Sequence, residues 1–211
     1  MNKPLIPFKD YRRIFNTIFS VLLEEDVRIN HSCVNFSVIG SLILREKYKL
    51  DPKVYMGIAV YMIDHNNNNL LTFAEKSENQ LIFTENGFHS WIVVNDWVID
   101  FTAPLFPSMI KENFENGTCQ SKMFQKPLNS MCASVADLKS NGDYFIQEDI
   151  SLADYMMNLF TKSRINMDLA EICCHWYKKP PSKMKKTITI SNGVGHLKQV
   201  SLKSNKITGW W

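Results

Sequence analysis

No apolar run in this sequence approaches the ~18 residues that a membrane-spanning helix needs, so no span is expected. Met1 to Asp10 carries Lys3 and Lys9 among two prolines and lacks the long apolar stretch of a secretion signal. No segment repeats, and no paired CxxC spacing is present, which excludes the common structural zinc patterns. The cysteines number five, so they cannot all pair within one chain, and Cys173 and Cys174 are adjacent. A reducing, cytoplasmic setting is expected, and it suits a thiol that must stay free. No Asp or Glu occurs from Ile172 to Trp211, a segment with eight lysines. Those lysines contribute +8 to a formal total of +3, so the remainder is net −5. A basic end on an acidic body reads first as a solvated face or a segment folded back on its own domain. Contact with nucleic acid is the disfavoured reading, because no arginine-interleaved motif accompanies the lysines.

What is present is an ordinary globular composition. The 211 residues are 45% hydrophobic and 21% charged, enough for one domain with a real core and too apolar for disorder. Tyr11, Ile14, Phe15, Ile18, Phe19 and Leu22 recur at helical spacing, which predicts a helix over 10–25 with Asp10 as its cap. After the polar triplet Asn30-His31-Ser32, Cys33 opens a segment apolar around most of its circumference, the pattern of a buried helix. Gly40 allows another element to approach it, and Arg45 to Lys49 with Asp51-Pro52 end it. Val54, Met56, Ile58, Val60 and Met62 alternate, predicting a strand over 53–64 with a bulge or close approach at Gly57.

His65 and four asparagines form a hairpin tip, followed by short strand candidates at 70–74 and 81–83. The clearest hairpin runs from Phe88 to Phe101 and turns at Asn95-Asp96, two residues that tolerate positive φ. Residues 108–150 are weakly patterned. Two helices are expected at 151–162 and 166–179, stopped by Pro180-Pro181, then a terminal hairpin across Asn192-Gly193.

The chemistry converges on three residues. A helix N-terminus presents free N–H groups and a dipole that favour negative charge, and Cys33 stands at such a position. A neighbouring imidazole can hold the thiol's proton. The hairpin supplies one by geometry: a two-residue turn at Asn95-Asp96 sets Trp91 opposite Asp100 and His89 opposite Thr102. His89 and Asp100 then share a face as diagonal neighbours about 7–8 Å apart at Cα, close enough for a hydrogen bond between side chains. Taken singly, a cysteine in an apolar helix is a core residue and a histidine at a strand start is a structural one. Asp100 is harder to assign that way, because a carboxylate within Val98-Ile99-Asp100-Phe101 is costly unless paired. Cys173-Cys174-His175 reads as helix interior, since adjacent ligands on a helix diverge. No metal or cofactor is expected. The piece Gly193-Val194-Gly195 is too short for a phosphate loop.

The order of a helix-opening cysteine, then Gly87-Phe88-His89-Ser90-Trp91, then Trp97-Val98-Ile99-Asp100 resembles the papain-like superfamily. In style it is similar to the transglutaminase-like and arylamine N-acetyltransferase-like branches. More narrowly, His31-Ser32-Cys33, Ile99-Asp100-Phe101-Thr102-Ala103-Pro104 and Lys122-Met123-Phe124-Gln125 resemble a bacterial family of unknown function within that superfamily. The resemblance covers roughly residues 8–130. It implies an α+β, papain-like fold with the cysteine-bearing helix packed on an antiparallel sheet. It also implies nucleophile, base and orienting acid at Cys33, His89 and Asp100. Papain-like enzymes often add a polar side chain to the oxyanion hole, which makes Asn30, His31 and Ser32 candidates, with Asn35 a weaker one.

The expectation is one domain over 1–211, with a core at about 8–130 and helical and β additions after it. The expected activity is that of a thiol-dependent hydrolase or acyltransferase on a peptide or small acyl or amide substrate. The competing reading is a non-catalytic binding module on the same fold, and a nucleic-acid-associated protein ranks last. Neither substrate nor oligomeric state is legible.

Overall fold

A computed structural model describes residues 3–77, 80–82, 84, 87–113, 118–191 and 195–211. In chain order the elements are α1 (Phe8–Glu24), α2 (Cys33–Tyr48), β1 (Lys53–Asp64), β2 (Asn69–Phe73), β3 (Glu75–Ser77), β4 (Gln80–Ile82), β5 (His89–Val94), β6 (Trp97–Asp100), α3 (Phe106–Asn113), β7 (Phe124–Pro127), β8 (Tyr144–Glu148), α4 (Ile150–Lys162), α5 (Arg164–Trp176), β9 (Thr187–Ser191) and β10 (Leu197–Ser201). The class is α+β. The main sheet is antiparallel, in the order β2-β1-β5-β6-β7, with β8 also paired to β1. Two ribbons, β3-β4 and β9-β10, stand apart from it. Phe83 and the Asn192-Gly193 turn lie outside the described residues.

α2 is the buried helix its composition predicts. Phe36, Ile39, Ile43 and Leu44 are fully enclosed, and the helix lies against β5. Gly40 permits that approach: a Cβ there would stand 2.4 Å from Cδ2 of Phe101. α1 begins earlier than the sequence suggests. The Pro7 carbonyl accepts the N–H groups of Asp10 and Tyr11, both at 2.9 Å, so the first turn is anchored upstream. Asp10 is therefore not the cap. It sits inside the first turn, buried, and accepts a hydrogen bond from Tyr48 Oη at 2.8 Å.

β1 is the hub of the sheet. β5 pairs with it over Lys53 to Gly57, and β8 takes over from Gly57 to Tyr61, while β2 lines the other edge. At the exchange point Gly57 has φ +153°, and a Cβ would lie 2.1 Å from the Gln147 carbonyl oxygen. The close approach expected at Gly57 is thus the passage of β8. β8 was not visible in the weakly patterned region, and the chain's end also joins the sheet region. The N–H of Met123 donates to Gly209 O at 2.7 Å and that of Trp211 to Met123 O at 3.0 Å. Residues after 130, Tyr144, Phe160 and Trp176 among them, also belong to the buried core. The lysine-rich end folds back on α1: the N–H of Lys203 donates to Ser20 Oγ at 2.8 Å, and Arg13 binds the carbonyls of Lys178 and Ser182. Among the described residues, no helix is long and apolar enough to cross a membrane.

Candidate active site

The β5-β6 hairpin sets the geometry. Asn95 and Asp96 take φ values of 48° and 59°, the left-handed pair that a tight two-residue turn needs. The resulting register pairs Val94 with Trp97, Val93 with Val98 and Ile92 with Ile99. His89 and Asp100 therefore fall on one face as diagonal neighbours, and the His89 Nε2–H donates to Asp100 Oδ2 at 2.8 Å. Both side chains are wholly removed from solvent.

A carboxylate so enclosed is tolerated only when its oxygens are satisfied. The N–H of Thr102 donates to Oδ1 at 2.7 Å, and Tyr61 Oη donates to Oδ2 at 3.1 Å, beside His89. Tyr11 Oη donates to the main-chain oxygen of the same residue. Burial, then the charge of Asp100, push both tyrosines well above the usual phenol range, so they remain donors. None of these three residues was singled out from sequence as a partner of Asp100. Tyr61 carried the one usable signal, since it shares the Gly57 face of β1, and Gly57 pairs with His89.

The imidazole is walled by aromatic rings. Phe73 of β2 stacks on it with centroids 4.0 Å apart and planes 23° from parallel, and Tyr61 meets it edge-on at 5.9 Å. Burial by itself lowers the affinity of His89 for a proton. The charge and hydrogen bond of Asp100, and then the Cys33 thiol, outweigh it and push the histidine up to about 9. Nδ1 is enclosed and has no hydrogen-bond partner among the described residues. The Cys33 thiol is a further side chain that acts on the ring, favouring its protonated form.

Cys33 is the first residue of α2, and no side chain caps that helix. The Ser32 hydroxyl donates to the Arg28 carbonyl at 2.7 Å, so the N–H groups of the first turn of α2 are not occupied by the cap residue. Cys33 is 9% exposed and lines a cavity of about 730 Å³.

The other sequence-predicted residues are placed as follows. Asn30 and His31, in a 3-10 turn over Ile29–His31, line the same cavity as Cys33, as does Asn35. Asn30 Nδ2 donates to Glu112 Oε2 at 2.7 Å, and His31 Nε2 lies 3.8 Å from Glu112 Oε1. The Asn30 amide, first, holds the Glu112 carboxyl below its usual range. Asn35 reaches Asn166 Oδ1 at 3.4 Å. Ser32 is buried, with its hydroxyl directed to the main chain. Among the described residues no group of three or more His, Cys, Asp or Glu side chains is placed to hold a metal.

A family model described as "Protein of unknown function (DUF2026)" matches residues 7–211. The chain belongs to that family. No curated protein matches it. A solved structure named "The crystal structure of genomics APC5867" is similar over 100% of this chain and 99% of its own, at 29% identity and a TM-score of 0.89. The fold described above is therefore shared across nearly the whole length of both chains, including the residues after 130.

Proposed function

We propose that this member of the DUF2026 family is a thiol-dependent hydrolase or acyltransferase built on a papain-like fold of the transglutaminase-like or arylamine N-acetyltransferase-like kind. Cys33 is its nucleophile, His89 its acid and base, and Asp100 the group that orients and charges the imidazole. The observation that carries the reading is the buried 2.8 Å bond from His89 Nε2 to Asp100 in a ring whose protonated form the Cys33 thiol also favours. A structural histidine has no need of a carboxylate on one side and a thiol beside an open cavity on the other.

In the first half-reaction the Cys33 sulfur attacks an acyl carbon and an S–C bond forms. The bond from that carbon to the leaving nitrogen or oxygen breaks, and the His89 imidazolium gives the leaving group its proton. The transient oxyanion is met by N–H groups at the start of α2. In the second half-reaction His89 takes a proton from water or from an acceptor amine, which attacks the thioester. The S–C bond breaks and the thiolate returns. Water as acceptor gives a hydrolase, and an amine gives an acyltransferase. A reducing compartment, the cytoplasm, suits this chemistry because the nucleophile has to remain a free thiol.

The test is acylation by p-nitrophenyl acetate at neutral pH, read by peptide mass spectrometry. The other four thiols are poor competitors. Burial pushes Cys119 and Cys174 up to about 11 and raises Cys132 and Cys173 as well. The acetyl group is expected on Cys33, with turnover abolished in Cys33→Ala and strongly reduced in His89→Ala. Acetylation spread over Cys119 and Cys132 with Cys33 unmodified would reject the enzyme and favour a binding module.

A further inference from the structure

The cavity beside Cys33 has a lining of mixed character. Polar lining comes from Arg28, Asn30, His31 and Glu112, and also from Asn35 and Asn166. Apolar lining comes from Leu71 and Phe73 of β2, which flank Thr72, from Met156, Leu159 and Phe160 of α4, and from Val34. The apolar lining from β2 and α4 follows from two regular periodicities. Leu71 and Phe73 are alternate residues on one face of a strand, and Met156, Leu159 and Phe160 occupy the i, i+3 and i+4 positions of one helical face.

Such side chains ordinarily fill a core, and here Phe160 does so. Leu159 does not: it is 47% exposed, and Leu71, Phe73 and Met156 are only half-buried. Apolar surface left open around a proposed nucleophile is the lining of a ligand site rather than of a packed interior.

The polar lining offers little for a charged acyl group. Among the described lining residues Arg28 is the one with a permanent positive charge, and its guanidinium is 4.0 Å from Glu112 and 3.3 Å from His31. Glu112 also holds the Asn30 amide, and Glu75 accepts from Thr84 Oγ1 at 2.7 Å. An ionised acyl chain would have to displace one of these arrangements. An uncharged hydrocarbon chain meets the β2-α4 wall directly.

We propose that this cavity is an acyl pocket, and that the donor carries an uncharged, apolar acyl group of more than a few carbons, seated between β2 and α4. The proposal rests on the enzymatic reading of Cys33 and specifies its substrate class. The acyl carbon bonds to the sulfur with loss of the leaving group, the chain lies along Phe73, Met156 and Leu159, and water or an amine later releases it from the thioester.

The experiment compares p-nitrophenyl acetate, butyrate, hexanoate and octanoate with the hemisuccinate, each rate divided by its uncatalysed rate. Burial of each methylene predicts a rise in kcat/KM of roughly three- to four-fold until the wall is covered. The anionic hemisuccinate is expected to fall below the butyrate of equal length. Leu159→Lys, at an exposed helix position with folding checked by circular dichroism, should flatten the dependence on chain length. Ile165→Lys, equally conservative for folding at a 68% exposed site off the cavity, should leave that dependence intact. Acylation of Cys33 at rates independent of chain length, or a preference for the hemisuccinate, overturns the acyl pocket and leaves the enzyme. Failure of every ester to acylate Cys33 overturns both.

Discussion

Replacing Asp100 by asparagine should invert the protonation of His89 at neutral pH. Three influences act on the ring: burial, which lowers its proton affinity, and Asp100 and then Cys33, which raise it, with the net at about 9. An amide removes the charge of Asp100 and leaves a buried ring whose remaining support is the weaker thiol. The midpoint should then drop from about 9 to below the ordinary value of about 6.5, a loss of about 3 kcal/mol or more in preference for the imidazolium.

Ring-nitrogen NMR on histidine-labelled protein reads this directly, because only five histidines are present and His89 is the one paired with a carboxylate in the interior. Stability follows the same linkage. A group that titrates higher in the folded chain stabilises it fully below its unfolded value, about 6.5, and loses that contribution as pH rises through its folded value. Denaturant unfolding in a Cys33→Ala background, where no thiol shares the proton, should therefore show stability declining as pH rises above about 6.5, with the decline ending below the parent's value of about 9 because the contribution of Cys33 is gone. Adding Asp100→Asn should remove the decline. An Asp100→Asn protein whose His89 resonances titrate where the parent's do would refute the electrostatic account of the site.

Two further changes probe the frame around the site. Gly57→Val forces a side chain into a φ of +153° and against the Gln147 carbonyl, so β8 has to shift from the strand that also pairs with His89. A loss on the order of 3 kcal/mol is expected, and an unchanged urea midpoint would contradict the close approach. Tyr61→Phe removes one of the donors to Asp100 Oδ2 while keeping the ring against His89. It should cost roughly 1.5–3 kcal/mol, and a stability within about 0.5 kcal/mol of the parent, the range of a neutral surface substitution, would mean that the carboxylate does not need the phenol.

The relation of sequence to structure is clearest at the hairpin and at α1. Asn95-Asp96 specifies a two-residue turn through residues that accept positive φ, and from that one feature the pairing of Ile92 with Ile99 and the meeting of His89 with Asp100 follow. At α1 the same kind of local reading chose Asp10 as a cap. It missed that Pro7 already anchors the turn and that Tyr48, remote in sequence, draws the carboxylate inward.

By itself the sequence determined the length and burial of α2, the span of β1, the β5-β6 register and the position of Cys33 at a helix start. Each depends on periodicity or turn conformation within a few residues, where the backbone leaves few alternatives. Tertiary structure alone decided that Phe73 stacks on the imidazole. It also decided that Tyr61 and Thr102 satisfy Asp100, and that β7 and β8 complete the sheet. Those outcomes are pairings between distant segments, several of them short and weakly alternating. A strand of four or five residues carries too little pattern to name its neighbour until the hydrophobic core has closed around it.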